Sequence, residues 1–183
     1  MPAHLDAAIE VLAREGSRGL TLRAVDKEAA VPTGTASNYF ANRADLLAHV
    51  MGRTRERLTP DTTELADTLS AKPSHELVRT LMLQLVERMR RERSSHPAML
   101  ELRLEATRRP ELHTELASFF TAGLEANIGF HLGHGLPGDR TVVVLLYLAM
   151  LGLIVDGLTV PELLAAHQLD ALVDAMVRRL LPG

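Results

Sequence analysis

The sequence predicts an all-α protein in two parts, an amino-terminal three-helix domain over residues 1–47 and a longer helical domain over residues 48–183. Three observations lead there. Apolar residues recur at three- and four-residue spacing along most of the chain, and no stretch alternates as a strand would. Leu and Ala dominate the 46% of hydrophobic residues while aromatics make up only 3%, a balance that favours helix over sheet. Capping residues and breaks containing Gly or Pro punctuate the pattern at helix-length intervals.

The elements follow in order. Leu5, Ala8, Ile9, Leu12 and Ala13 form the stripe of a first helix that stops at Gly16. Thr21 caps a second, which turns Leu22, Val25 and Ala29 to one face. Val31-Pro32-Thr33-Gly34 breaks the pattern, and a short third helix runs from Thr35 to Phe40. Asn42 caps a fourth, reaching Leu58, with Asp45 near the positive end of its dipole and Leu46, Leu47 and Val50 inward. Leu58 to Pro73 reads as a boundary or a weak helix with a turn. Beyond it, Ser74–Ser94 buries Leu77, Leu81, Leu85 and Met89. A helix from His96-Pro97 ends near Arg109-Pro110, and Glu111–Phe130 leads into a glycine-rich turn at Gly133–Gly138. Asp139–Val160 and Gln168–Leu181 complete the chain.

Thr141 to Val155 carries no formal charge over fifteen residues, and Asp156 ends the run. A membrane span needs about 18–20 apolar residues, so the stretch is read as a helix buried on several sides and no membrane partner is expected. Gly152 and Gly157 would let a second helix approach closely, either within the core or across a subunit contact.

Composition excludes several function classes. The chain has no Cys, which removes disulfide scaffolds, thiolate zinc sites, iron–sulfur clusters and cysteine catalysis, and suits a reducing cytoplasm. Met1 to Asp6 has no signal-peptide pattern. The net charge of −3 argues against a protein that coats nucleic acid, but the charge is unevenly spread. Up to Leu58 there are eight Lys/Arg against seven Asp/Glu, and from Thr59 onward twelve against sixteen, so any DNA contact must be local and amino-terminal. No P-loop, nucleophile-elbow or zincin motif occurs. Gly133 to Gly138 does fit G-x-G-x-x-G with Asp156 downstream, the basis of an alternative reading as a nicotinamide-dependent oxidoreductase. That reading fails on context: the motif follows a helical pattern, no second βαβ unit exists, and Pro137 removes an N–H that a phosphate would need. His131 and His134 are one turn apart, but only Asp139 is near enough in sequence to complete a metal site. Glu87–Arg93 is a solvated helix end. No catalytic residue, metal or cofactor is expected.

Thr21 to Leu47, TLRAVDKEAAVPTGTASNYFANRADLL, carries the function. Two short helices joined by a tight turn, the second rich in small polar residues, meet the demands of a helix-turn-helix. The first must bury an apolar face to fix the angle of the second. The second must expose short donors and acceptors, because a major groove admits a helix only if its outward side chains fit. Thr33, Thr35, Ser37 and Asn38 meet that demand, while Tyr39 and Arg43 offer a hydroxyl and a cation to phosphate.

These residues resemble the amino-terminal domain of the TetR/AcrR family of bacterial regulators. The matching pattern is Ala7-Ala8-Ile9 and Leu12, Gly16, Thr21-Leu22-Arg23 with Val25, Ala29-Ala30-Val31, Gly34-Thr35, Tyr39-Phe40, Asn42-Arg43 and Leu46-Leu47. The resemblance implies that Thr33, Gly34, Thr35, Ala36, Ser37 and Asn38 face bases or adjacent phosphates, and that Thr21, Tyr39 and Arg43 grip the backbone. The chain departs from the pattern in three places. Ala30 stands where the family's turn usually has Gly, which costs little if φ there is negative. Ser37 replaces a frequent aromatic. Only Met1-Pro2-Ala3 precedes the first helix, so a basic arm is missing or lies upstream.

The resemblance further implies a transcriptional repressor that binds a palindromic operator in double-stranded DNA as a homodimer and leaves it when a small-molecule effector binds. The effector pocket is expected among the helices from Ser74 to Ala149. Its apolar lining would be Leu81, Leu85, Met89, Met99, Leu102, Phe119, Phe120 and Tyr147, and its polar anchors Gln84, Glu101, Glu105 and Asn127. One helix-turn-helix buries too little to find a site in a genome, so two copies should meet through Thr141–Val160 and Gln168–Leu181. Helix Asn42–Leu58 is expected to be the only element joining the reading head to the rest.

Overall fold

The computed structural model describes residues 1–181, so the last two residues of the expected second domain lie outside the described residues. Among the described residues there are nine α-helices, two 3-10 turns and no strand. The helices group into two compact units, Met1–Thr59 with Glu92–Phe119, and Pro60–Arg91 with Phe120 onward. This differs from a division after residue 47, because later helices close the first unit.

In the first unit, α1 (Pro2–Gly19) starts on a proline, whose missing N–H would have been unpaired there anyway. It buries Leu5, Ala8, Ile9 and Leu12. The expected stop at Gly16 is a break within the element: Gly16 takes φ 69 and ψ −179, and the helix resumes to Gly19. Only glycine holds that backbone without strain. In α2 (Leu22–Glu28) Thr21 acts as the cap the sequence predicts, its hydroxyl accepting the Ala24 N–H at 3.1 Å. In α3 (Arg43–Leu58) the Asn42 side chain accepts the Asp45 N–H at 3.0 Å, and the Asp45 carboxylate accepts the Ala41 N–H at 2.9 Å. Between α2 and α3 the expected third helix is only a 3-10 turn, Ala36–Asn38. Thr35 Oγ1 donates to the Pro32 carbonyl and Ser37 Oγ to the Gly34 carbonyl, both at 2.6 Å, a local competition that keeps such residues out of regular helix.

Two further helices follow α3 before the next part of this unit: α4 (Thr62–Leu69) and α5 (His75–Arg91), both in the second unit. Then α6 (Ser95–Ala106) packs on α1 and α3 and buries Ala98, Met99 and Leu102. The expectation that α3 alone joins the reading head to later sequence is therefore corrected. Glu101 accepts the Ser17 N–H at 3.3 Å, and Arg57 of α3 pairs with Glu92 at 2.7 Å. The division between units falls within α7 (Pro110–Gly133), after Phe119.

In the second unit, the Asp61 carboxylate caps α4 through the N–H groups of Thr63 and Glu64, so the stretch from Leu58 to Pro73 contains a short helix followed by a turn. Against α5 pack α8 (Arg140–Thr159) and α9 (Leu169–Leu180). One core cluster gathers Leu77, Val78, Leu136, Leu146, Val177 and Leu181; another gathers Val86, Met150, Leu153 and Val173. Leu77 and Met89 of α5 are buried as expected, but Leu81 and Leu85 are only half-buried, because Val78 and Val86 take the inner stripe. Nor is α8 buried on several sides. Val143, Leu146, Met150, Leu153 and Ile154 face inward, whereas Leu145 and Leu148 are 43% and 55% exposed on a side shared with Thr141 and Gly152.

Candidate nucleic-acid interface

The site is a short exposed turn held from beneath by a buried acid. Val25 anchors α2 with no exposed surface, and the next residue, Asp26, is 2% exposed. Its two carboxylate oxygens accept the N–H groups of Gly34 and Ala36, each at 2.7 Å. Those bonds fix where the turn leaves α2 and where the 3-10 segment begins. Sequence reading missed Asp26. Its partners lie eight and ten residues away, beyond any local capping pattern.

The turn itself needs left-handed backbone. Gly34 has φ 97, which glycine tolerates, but Ala30 has φ 53. The condition under which Ala30 would cost little, a negative φ, is not met: the chain places an alanine where the left-handed region costs an L-residue about 1–2 kcal/mol.

Of the expected DNA-facing residues, Thr21, Thr33, Gly34, Ser37, Asn38 and Tyr39 are exposed and Thr35 is half-buried. Tyr39 is 45% exposed, with its ring against His4 at 5.0 Å and Phe40 at 6.4 Å. Phe40 is 1% exposed and meets His49 edge-on at 5.6 Å, the packing role its sequence position predicts. Two residues do not face outward. Ala36 is fully buried, its N–H bonded to Asp26. Arg43 turns back onto the end of α1, donating to the Leu20 carbonyl at 3.0 Å, the Ser17 hydroxyl at 2.7 Å and the Ser17 carbonyl. Burial, and next the Arg109 charge, lower its pKa, with Glu105 opposing. As placed, Arg43 ties α3 to α1 through both terminal nitrogens of its guanidinium. Exposed cations do occur on α2, at Arg23 and Lys27 one turn apart. Arg14, also exposed, is held by Glu28 at 2.7 Å and Glu15 at 3.0 Å.

The expected effector-contacting residues are divided between the units. Met99 and Leu102 are core residues of the first. There Glu101 accepts from Ser17, and Phe119 lies under the Arg55 guanidinium at 4.9 Å. Burial works against ionisation of Glu105, yet hydrogen bonds and charges from Arg108 and Arg109 outweigh it and hold the carboxyl below its ordinary range. Leu81, Gln84, Leu85, Met89, Phe120, Asn127 and Tyr147 belong to the second unit. Gln84 donates to Thr68 at 2.9 Å and Asn127 is exposed. A cavity in that unit, about 230 Å³ between α5, α8 and α9, includes only Met89 of this set.

The competing motifs resolve structurally. Gly133–Gly138 follows helix α7, and Leu136 inside it is buried, as in a connecting loop. His131 Nε2 meets the Pro137 carbonyl and His134 Nδ1 the Phe130 carbonyl, both at 2.8 Å. Among the described residues no three His, Cys, Asp or Glu side chains cluster to hold a metal.

Comparison with known families matches residues 5–50 to "Bacterial regulatory proteins, tetR family" and residues 73–183 to "Tetracyclin repressor-like, C-terminal domain". Comparison of the sequence with curated proteins finds no significant match. Among solved structures, the chain is similar to a TetR-family member from Streptomyces coelicolor A3, with 26% identity, a TM-score of 0.71, and 99% and 97% of the two chains covered. It is also similar to the multidrug binding protein EbrR complexed with imidazole, at 26% identity and TM-score 0.65, covering 99% and 94%. A transcriptional regulator from Rhodococcus sp. Rha1 shares the fold at 20% identity and TM-score 0.70, covering 98% and 95%.

Proposed function

Since the chain belongs to the TetR family of transcriptional regulators, we propose that it is a repressor that binds a palindromic operator as a homodimer and is released by a small-molecule effector. The observation that carries the reading is the Asp26-pinned turn, which holds Thr33, Ser37 and Asn38 outward on short side chains. Hydroxyls and an amide at that reach suit base edges, with Gly34 and Thr35 close to the groove and Thr21 and Tyr39 on the backbone. Arg23 and Lys27 take the phosphate-pairing role that Arg43, tied to α1, does not. Action on DNA would place the protein in the cytoplasm.

The open face of α8 supports the dimer. Leu145 and Leu148 are apolar and uncovered in the single chain, and beyond its chain neighbours and the adjoining helix backbone Gly152 has no atom within 4 Å of where a Cβ would stand. A second copy crossing there, with α9 alongside, would bury that face in a twofold four-helix bundle. Reading heads in such a dimer must sit about 34–36 Å apart to enter successive major grooves, and an effector need only favour another spacing. A hundredfold loss of operator affinity takes about 2.7 kcal/mol of coupling. EbrR, crystallised with imidazole and several dyes, lends support to a small-molecule effector here.

The test is to capture genomic fragments on the purified protein and sequence them. A short inverted repeat enriched over bulk DNA is expected. Recovery of random fragments would refute the reading, and a monomer in sedimentation at micromolar concentration would refute its dimer.

A further inference from the structure

The cavity between α5, α8 and α9 has a chemistry of its own. It is about 230 Å³ in volume and lies between α5, α8, α9 and the 3-10 turn Pro161–Leu164. Its walls are aliphatic, with Met89, Leu153, Leu164 and Leu172 among them, and no Phe, Tyr, Asp or Glu lines it. The charged or ionisable side chains that reach it are Arg90 and His167, both basic and both exposed. Arg90 has no ion-pair partner among the described contacts, although Arg91 beside it pairs with Glu87 and Arg79 earlier on the helix pairs with Glu76. The unit thus sets an unpaired cation at the mouth of an aliphatic hollow.

We propose that this cavity binds an aliphatic carboxylate, its chain among the leucines and its head at Arg90 and His167. The absence of carboxylates and of Phe and Tyr from the lining argues against the complementary class. A planar organic cation would find no Phe or Tyr ring to stack on and no anion to face, and would meet Arg90 beside the His167 imidazole instead. A guanidinium pairs with a carboxylate through parallel N–H groups and keeps that preference at a half-open mouth. Size bounds the chain. At roughly 30 Å³ per water-sized group, the hollow takes about eight such groups, so octanoate fits and much longer chains would protrude. Gly157 forms part of the wall and contributes no side chain; a Cβ there would meet only Leu164 Cδ1, at 3.9 Å. The inference deepens the effector half of the proposed function and takes its biological meaning from it, but the site itself is tested without DNA.

The experiment is calorimetric titration of the whole chain with sodium octanoate, 1-octanol, octylammonium and proflavin. Octanoate should saturate at one per chain, octanol should bind at least fivefold more weakly, and neither cation should bind. Each methylene removed from the acid should weaken binding about fourfold. Arg90→Gln, at an exposed position, should cost octanoate about tenfold and bring it level with octanol. Gly157→Leu should fill the hollow and abolish binding of both, with the thermal midpoint confirming that each variant is folded. Octylammonium or proflavin binding as tightly as octanoate, no saturation with octanoate, or unaltered affinity in a folded Gly157→Leu protein would each overturn the proposal. Octanoate that binds as expected yet leaves operator binding unaltered would instead count against the effector reading and leave the site standing.

Discussion

Replacing Asp26 by Asn removes one charge at nearly constant shape, from a side chain that is 2% exposed and accepts two backbone N–H groups at 2.7 Å. The amide keeps a single carbonyl oxygen. If that oxygen stays with the buried Ala36 N–H, the NH₂ group faces the Gly34 N–H, and two donors oppose each other. Hydrogen bonds to a charged acceptor contribute about 1.5–3 kcal/mol and neutral ones about 0.5–1.5. The Ala36 bond therefore weakens by about 1 kcal/mol, and loss of the Gly34 bond, partly offset by water at an exposed residue, costs about 1–2 more. The expected total is about 2–3 kcal/mol, a thirtyfold or greater rise in the population with this turn released. Urea unfolding at pH 7 reads the total, and amide exchange of Ala36 reads its place: protected in the parent chain, fast in the variant. Affinity should fall on operator and random DNA alike, because the turn is loosened and no base contact is altered. A variant within 0.5 kcal/mol of the parent, by rough tolerance for surface changes, with Ala36 still protected would refute the pinning role.

Ala30→Gly should stabilise the protein by about 0.5–1 kcal/mol. Relief of the φ 53 strain is worth about 1–2 kcal/mol against about 0.4–1 for added freedom in the unfolded chain; a lower thermal midpoint would show that Ala30 is not strained. Arg43→Ala should cost about 2 kcal/mol of stability through the lost Ser17 and Leu20 contacts. The salt dependence of its DNA binding should not change, whereas a slope shallower by about one would return Arg43 to phosphate. Burial, helped by the Arg103 charge, holds His96 below its ordinary 6.5. The unfolded chain takes up that proton as pH falls through 6.5 and the folded protein only lower down, so this contribution is complete above 6.5 and is lost from there toward the folded pKa. His96→Phe should flatten the fall of the urea midpoint below pH 6.5, and an equal slope in both proteins would refute the assignment.

What was legible in the sequence was local. Thr21 and Asn42 each cap an N–H three residues on, so residue type and spacing suffice to place α2 and α3. Gly16 could be read as an interruption because few other residues adopt its φ, although not that helix resumes after it. That the short polar residues Thr33, Ser37 and Asn38 lie exposed was legible, since it follows from residue type. Their conformation was not, because Thr35 and Ser37 bond back to the chain and Asp26 reaches across the turn. Nor were the contacts of Arg43 legible, for a similar reason: a cation after a capping Asn looks free until Ser17 arrives from another helix. The effector set rests on apolar and a few polar positions along a row of helices, and nothing local distinguishes Met99, packed in the first unit, from Met89, facing a cavity of the second.

The contact of α6 with α1 bears on how the protein is made and recombined. Ser17 donates its N–H to Glu101, a residue synthesised 84 positions later. The first unit includes Glu92–Phe119, so the surface that buries α1 is incomplete until those residues have left the ribosome, and the nascent head must wait through all of α4 and α5. The same fact sets where heads can be exchanged between relatives. A graft ending near residue 50, where the amino-terminal family match ends, would lay a foreign α1 on this chain's α6 and mispair Ser17 with Glu101 and Glu10 with Ser94. A transplant that carries residues 1–59 together with 92–119 moves a whole folding unit.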